Sequence, residues 1–209
     1  MNAGLSNLAT LKAWLLAPSL LASTEYDDQI AAIGLGVAAQ LEKFCARQFA
    51  RTVGDVFECT ADREHVTLPR YPVEAVATVE QSDADAAWSE LSDAIQQRAL
   101  DRGMLYFGTQ LGTYLSRIRI TYTGGYFWEQ AEPSDEENYP TEVPEGSTAL
   151  PADLLLAWKL QCEHVWAQRD KLGLNLGQEP SQSSSIASIV PLLEVVKEQL
   201  RPHQRFAGY

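Results

Sequence analysis

Basic residues, cysteine and histidine are all scarce in this 209-residue chain, and each shortage removes a class of function. Lys and Arg number 16 against 28 Asp and Glu, a formal charge of −12. A groove that grips nucleic acid needs a basic patch to displace counterions from the phosphates, and no Lys/Arg cluster is visible. The three cysteines, Cys45, Cys59 and Cys162, fit no zinc spacing, and an odd number argues against a disulfide framework. The histidines, His65, His164 and His203, have no His or Cys at ligand spacing and read as surface residues. Aspartate pairs such as Asp27-Asp28 and Asp83/Asp85 arise freely in so acidic a chain. There is no Gly-x-Ser-x-Gly elbow, no phosphate-binding loop and no His-Glu-x-x-His. The expectation is therefore no enzyme, with no catalytic residue, cofactor or metal. No apolar run is long enough to span a bilayer, so no membrane contact is expected. Met1–Leu5 lacks the charged start and cleavage site of a signal peptide, which points to a reducing cytoplasm as the place of synthesis.

What is present is enough apolar material for a core, 45% of residues. Ser6 or Asn7 is placed to cap a short helix with Leu8, Leu11 and Leu15 at helical spacing. Thr24 and Asp27 have the spacing of a capping box. Behind them Ile30, Ile33, Val37, Leu41 and Phe44 step by three and four, the stripe of a long amphipathic helix near 25–47. Gly34 and Gly36 within it lower helix propensity and leave room for close packing.

From about residue 55 to 126 the pattern turns to strands. Val56–Cys59 and His65–Leu68 are short candidates, and Pro69 and Pro72 bracket a turn or an edge. Val73, Ala75, Ala77 and Val79 alternate with Glu74, Val76, Thr78 and Glu80 and read as the inward face of a half-buried strand. Residues 81–102 are ambiguous between continued sheet and a short helix from Ser89 to Leu100. Met104–Phe107 reads as a strand. The clearest strand carries Ile118, Ile120 and Tyr122, ended by a Gly124-Gly125 turn. Residues 129–146 hold Glu129, Glu132, Asp135, Glu136 and Glu137 without any Lys or Arg, a composition that cannot order itself alone. The simplest reading is a solvated acidic loop.

Pro151 suits a first helical turn. The helix behind it, with Leu155, Trp158, Cys162, Val165 and Trp166 on one face, is expected to run to about Leu172 and to pack on the Ile30–Phe44 stripe. A Ser/Gln-rich linker follows. Pro191 then opens a last helix with Leu192, Leu193, Val196 and Leu200 in register. The tail contributes Arg201, Arg205, Phe206 and Tyr209, residue types enriched at interfaces. So short a helix is marginal alone: it either docks on a partner or folds back on its own domain. The fold expected is α+β but mainly α, a small helical bundle (helices near 25–47 and 151–172) with an inserted antiparallel β portion. It divides into a core over 1–176 and an interaction arm over 177–209.

Three patches then gain weight from their order: Leu68-Pro69-Arg70-Tyr71-Pro72-Val73, Thr121-Tyr122-Thr123-Gly124-Gly125-Tyr126 and Leu150-Pro151-Ala152-Asp153-Leu154. Preceded by a Leu-rich helix and a long helix with an acidic start, they resemble the head–tail connector (adaptor) proteins of tailed bacteriophages, over about Leu8 to Leu172. The resemblance implies a structural virion protein, assembled as a ring, commonly of twelve, between portal protein and a tail-side neck protein. DNA passes through such a ring without tight binding, and an acidic wall suits that because like charge repels phosphate. The family's use of its C-terminal segment against the portal implies that role for Pro191, Leu192, Leu193, Val196, Leu200, Arg201, Arg205, Phe206 and Tyr209. The acidic loop becomes a candidate subunit contact or lumen segment. The chain departs from the family in its length, in the expansions at 81–102 and 129–146, and in its long C-terminal arm. A head-closure or tail-completion protein, a cytosolic interaction protein and an enzyme with a non-obvious site are the competing readings.

Overall fold

The computed structural model describes residues 3–83, 87–91, 93–128, 137–169 and 190–205. The chain forms two compact units. One comprises Met1–Ala46, Trp128–Thr141 and Ala149–Arg205; the other comprises Arg47–Phe127, Glu142–Thr148 and Phe206–Tyr209.

The first unit holds four α-helices among the described residues: α1 (Leu8–Leu15), α2 (Asp27–Cys45), α3 (Ala152–Ala167) and α4 (Glu194–Leu200). Asn7 caps α1, its side-chain oxygen accepting from the Thr10 N–H at 2.8 Å. The expected capping box at Thr24 and Asp27 does not form, because Asp27 is engaged elsewhere. The buried Lys12 ammonium lies 2.6 Å from the Asp27 carboxylate and donates to the Ser23 carbonyl, tying α1 to the start of α2. Along α2 the anticipated Ile30, Ile33, Val37 and Leu41 are buried. Cys45 continues the stripe in place of the half-buried Phe44. A left-handed Ala46 (φ 53°) ends the helix. α3 buries Leu154, Trp158, Gln161, Cys162 and Val165 and packs on α2, as expected, and on α1 and α4. It stops at Ala167 rather than near Leu172, and residues 170–172 lie outside the described residues.

The strands are β1 (Thr52–Thr60), β2 (His65–Thr67), β3 (Val73–Asp83), β4 (Ser89–Glu90), β5 (Gln97–Ala99), β6 (Met104–Tyr106), β7 (Ser116–Gly124), β8 (Tyr126–Phe127) and β9 (Thr148–Ala149). They make a four-stranded sheet in the order β1-β7-β3-β4, a three-stranded sheet β2-β6-β5, and the ribbon β8-β9. The central β7 is the strand whose alternation is cleanest: Ile118, Ile120 and Tyr122 are all buried, packed with Val66, Leu68, Leu105 and Phe107.

This corrects the expected architecture. With nine strands in three sheets among the described residues, the protein is a sheet-rich α+β fold, not a mainly α helical bundle. The reason lies in signal strength. A 19-residue helix announces itself by period, whereas six of the nine strands have only two or three residues, too short for a pattern to register. The ambiguous 81–102 stretch resolves as the end of β3, β4, β5 and a 3-10 turn at Leu100–Arg102.

A second correction concerns β3. Val73 and Val79 are buried, but Ala75 and Ala77 are exposed. The register with β7 shifts between Val73 and Ala75 and again between Val76 and Thr78. Each irregularity inserts a residue and reverses the alternation locally, so a strict period of two fails in the middle of the strand.

Candidate functional site

The C-terminal segment, marked by the sequence as the interaction arm, is held in a slot lined by α2 and α3. Its first residues are extended rather than helical: Pro191–Leu193 precede α4, which starts at Glu194. Two glutamines hold that extended stretch by its backbone. The Gln40 side-chain amide donates to the Val190 carbonyl at 2.7 Å. The wholly buried Gln161 donates to the Pro191 carbonyl at 3.1 Å and accepts the Leu193 N–H at 3.1 Å. Further on, Val196 and Leu200 are fully buried. The Arg205 N–H donates to the Cys45 carbonyl at 2.8 Å. His203 lies 2.9 Å from the Asp153 carboxylate in the first turn of α3. Partial burial alone would push the Asp153 carboxyl up, but the hydrogen bond and charge of His203, with the Leu154 N–H, hold it below its ordinary value.

Val196 and Leu200 face inward, Leu192, Leu193 and Arg205 are half-buried, and Pro191 and Arg201 are exposed. Phe206 and Tyr209 lie outside the described residues, as do Glu129, Glu132, Asp135 and Glu136, while Glu137 is exposed. Sequence reasoning missed Gln40 and Gln161. Gln161 did leave a trace: it sits at helical spacing among Leu154, Trp158 and Val165, where a polar residue on an apolar stripe needs a buried partner.

In the other unit the first two sequence patches come together. The Gly125 N–H donates to the Pro72 carbonyl at 2.8 Å, the Tyr126 N–H to the Phe49 carbonyl at 2.7 Å, and the Gln48 N–H to the Pro69 carbonyl at 2.9 Å. Gly125 has φ +101°, and a Cβ there would lie 2.5 Å from the Ala50 carbonyl oxygen, so only glycine fits. Arg70 reaches Asp55 at 3.0 Å and also bonds the Ala50 carbonyl and the Gln48 side chain. Asp55 also accepts from the Tyr122 hydroxyl at 2.9 Å. Burial first, then the Asp55 carboxylate, push the Tyr122 phenol up, keeping it a donor. The buried Arg47 lies over Tyr71, its guanidinium carbon 3.4 Å from the ring centroid and 5.2 Å from those of Phe49 and Tyr126. The motif residues thus join strands and loops. The third patch, at Asp153, starts α3 and receives His203.

Among the described residues no group of three or more His, Cys, Asp or Glu is placed to hold a metal, and no helix is long and apolar enough to cross a membrane. His65 packs against Tyr106 and His164 lies 3.0 Å from Gln168. All three histidines are half-buried rather than on the open surface. Cys45 and Cys162 are buried and Cys59 is half-buried. The most protruding apolar pair is Tyr114 and Leu115, 72% and 60% exposed. It sits on a turn closed by the Ser116 N–H donating to the Thr113 carbonyl at 3.0 Å.

No family model matches the chain, and no curated protein sequence does. Solved structures do. A chain in the neck of an empty GTA particle, computed with C6 symmetry, is 19% identical with a TM-score of 0.51, covering 90% of this chain and 91% of that one. A chain in the virion of a native gene transfer agent (GTA) particle is 18% identical with a TM-score of 0.53, over 90% and 91%. The protein has the fold of these chains.

Proposed function

We propose that this protein is a structural component of a phage-like virion neck, the adaptor that forms a ring between portal and tail. The observation that carries the reading is the agreement of fold with chains of gene transfer agent neck and virion along nine-tenths of both partners. The ordered patches at Leu68–Val73, Thr121–Tyr126 and Leu150–Leu154 support it independently. The helix-first, helix-last order favours the adaptor over a head-closure or tail-completion component.

In this reading the ring has twelve copies, a number compatible with a sixfold axis. It carries DNA through a lumen that a formal charge of −12 per chain keeps from gripping phosphate. The acidic stretch with Glu129, Glu132, Asp135, Glu136 and Glu137 lies at the lumen or between subunits. The portal is met by the outward side of the C-terminal segment, Pro191, Leu192, Leu193, Arg201 and Arg205, and by Phe206 and Tyr209. Val196 and Leu200 anchor that segment from beneath. The protein catalyses nothing. It is made in the host cytoplasm and ends in the virion.

Deleting the gene from a producing genome tests this. DNA-filled heads without tails, restored to complete particles by supplying the protein, are expected. Normal tailed particles in its absence would remove it from the neck.

A further inference from the structure

We infer that the free protein pairs with a second copy of itself through the open edge of β1, the two strands running antiparallel about a two-fold axis at Phe57. β1 ends the four-stranded sheet and is bonded on one side only, to β7. From Asp55 to Thr60 its register with β7 is unbroken. The Ala61 N–H, next in that register, donates to the opposed Ser116 carbonyl at 2.9 Å. In an antiparallel pair such bonds recur at every second residue. Cys59, Phe57 and Asp55 therefore bond β7, and the N–H and C=O of Val56, Glu58 and Thr60 point away from it. The far side of β7 gives the same phase: Val79, opposite Ile120, turns its carbonyl outward to the Leu91 N–H at 2.8 Å, leaving Ile120 to bond Phe57.

Val56, Glu58 and Thr60 are exposed, and no described residue bonds their backbone. The opposite edge of the sheet is guarded. β4 covers Glu80 and Gln81, and two irregularities break β3 over Val73–Thr78, a common defence against pairing. Over Asp55–Thr60, β1 has no bulge, proline or lysine.

The sequence of β1 is self-complementary, which selects a second copy as the occupant and sets the register. Outward-facing residues must oppose one another, so registers differ by steps of two. With Phe57 opposite its counterpart, Val56 faces Glu58 of the second copy, twice. Phe57 is half-buried at the margin of the core, and this pairing brings two aromatic rings together across the axis. One step in one direction sets Glu58 against Glu58. One step in the other sets Phe57 against Asp55. A ring about a single axis contains no such two-fold, so the pair is a state of the free protein. Its refutation leaves the adaptor reading standing.

Sedimentation equilibrium of the full chain at rising concentration, with amide hydrogen exchange of β1, decides it. A monomer–dimer equilibrium is expected, with the Val56, Glu58 and Thr60 amides gaining protection in step with the dimer. Val56 is 53% exposed, so changing it spares the fold. Val56→Glu sets two carboxylate pairs across the axis and is expected to weaken the dimer about tenfold, whereas Val56→Lys sets two ion pairs there and is expected to strengthen it. Val143→Glu and Val143→Lys make the same charge changes at a 70% exposed site. They control for the general repulsion between two acidic chains and should shift the equilibrium far less. A monomer at every concentration, or a dimer as sensitive to residue 143 as to residue 56, would overturn the pairing. Protection of the β1 amides that appears only when the cognate portal is added would overturn it too, and would give the edge to the portal.

Discussion

The indole nitrogen of Trp158 donates to the carbonyl of Gly34 at 2.9 Å, joining α3 to the middle of α2. That helix passes so close to the start of the chain that a Cβ on Gly34 would lie 2.1 Å from the Ala3 carbonyl oxygen and 2.8 Å from the Leu11 side chain. On an open helix face Gly→Ala stabilises by about 1 kcal/mol. Here backbone stands in the way, and Gly34→Ala is expected to destabilise by about 3 kcal/mol. Trp158→Phe leaves the Gly34 carbonyl without its indole donor and is expected to cost about 2 kcal/mol. Urea unfolding followed by circular dichroism checks both, and the sign of the Gly34→Ala effect is the diagnostic part.

The joint around Gly125 and Arg47 makes a parallel prediction for the sheet unit. Gly125→Ala combines a positive φ with a 2.5 Å approach to the Ala50 carbonyl oxygen and should cost about 2–3 kcal/mol. Arg47→Lys should recover little of what Arg47→Ala loses. The planar guanidinium stacks on Tyr71 and bonds its carbonyl, a geometry an ammonium does not reproduce. Thermal unfolding of the three variants against the parent protein checks the order.

Acid should loosen the C-terminal arm. The Asp153 carboxyl is held below its ordinary value in the folded protein. Its contribution is therefore present above the ordinary carboxylate value and lost as pH falls through the lowered folded one. Protection factors of the amides in residues 190–205, corrected for the intrinsic pH dependence of exchange, are expected to fall on acidification through that range. Asp153→Asn, which has lost the charge already, should show a smaller pH-dependent change. An equal acid response in both proteins would place the loosening elsewhere.

The thiols should differ in reactivity. Burial pushes both the Cys59 and Cys162 thiols up, which lowers the thiolate fraction that reacts. Cys45 and Cys162 are fully buried and Cys59 is half-exposed on β1. In native protein a soluble disulfide reagent should label one thiol slowly, lost in Cys59→Ser, and all three after unfolding.

The parts legible in the sequence were those with a long, regular period. α2 announced Ile30, Ile33, Val37 and Leu41; β7 announced Ile118, Ile120 and Tyr122; and α3 was rightly paired with α2. What escaped was set by tertiary contact. The capping box at Thr24 and Asp27 gave way to the ion pair with Lys12, and bulges reversed the facing of Ala75 and Ala77. Pro191–Leu193 continued α4 by pattern but lie extended, because Gln161 satisfies their backbone better than a helical turn would. The slot was illegible for the same reason: two glutamines far apart in sequence show no period. The motif patches were visible throughout, yet their work as joints emerges only when Gly125 meets Pro72.

The central claim is that this chain builds a ring at a portal. Mass photometry of the pure protein, alone and mixed with its cognate portal, tests it most directly. The account predicts a closed multimer of about twelve copies, formed alone or on the portal and lost when residues 190–209 are deleted. A monomer indifferent to the portal at micromolar concentration would contradict it.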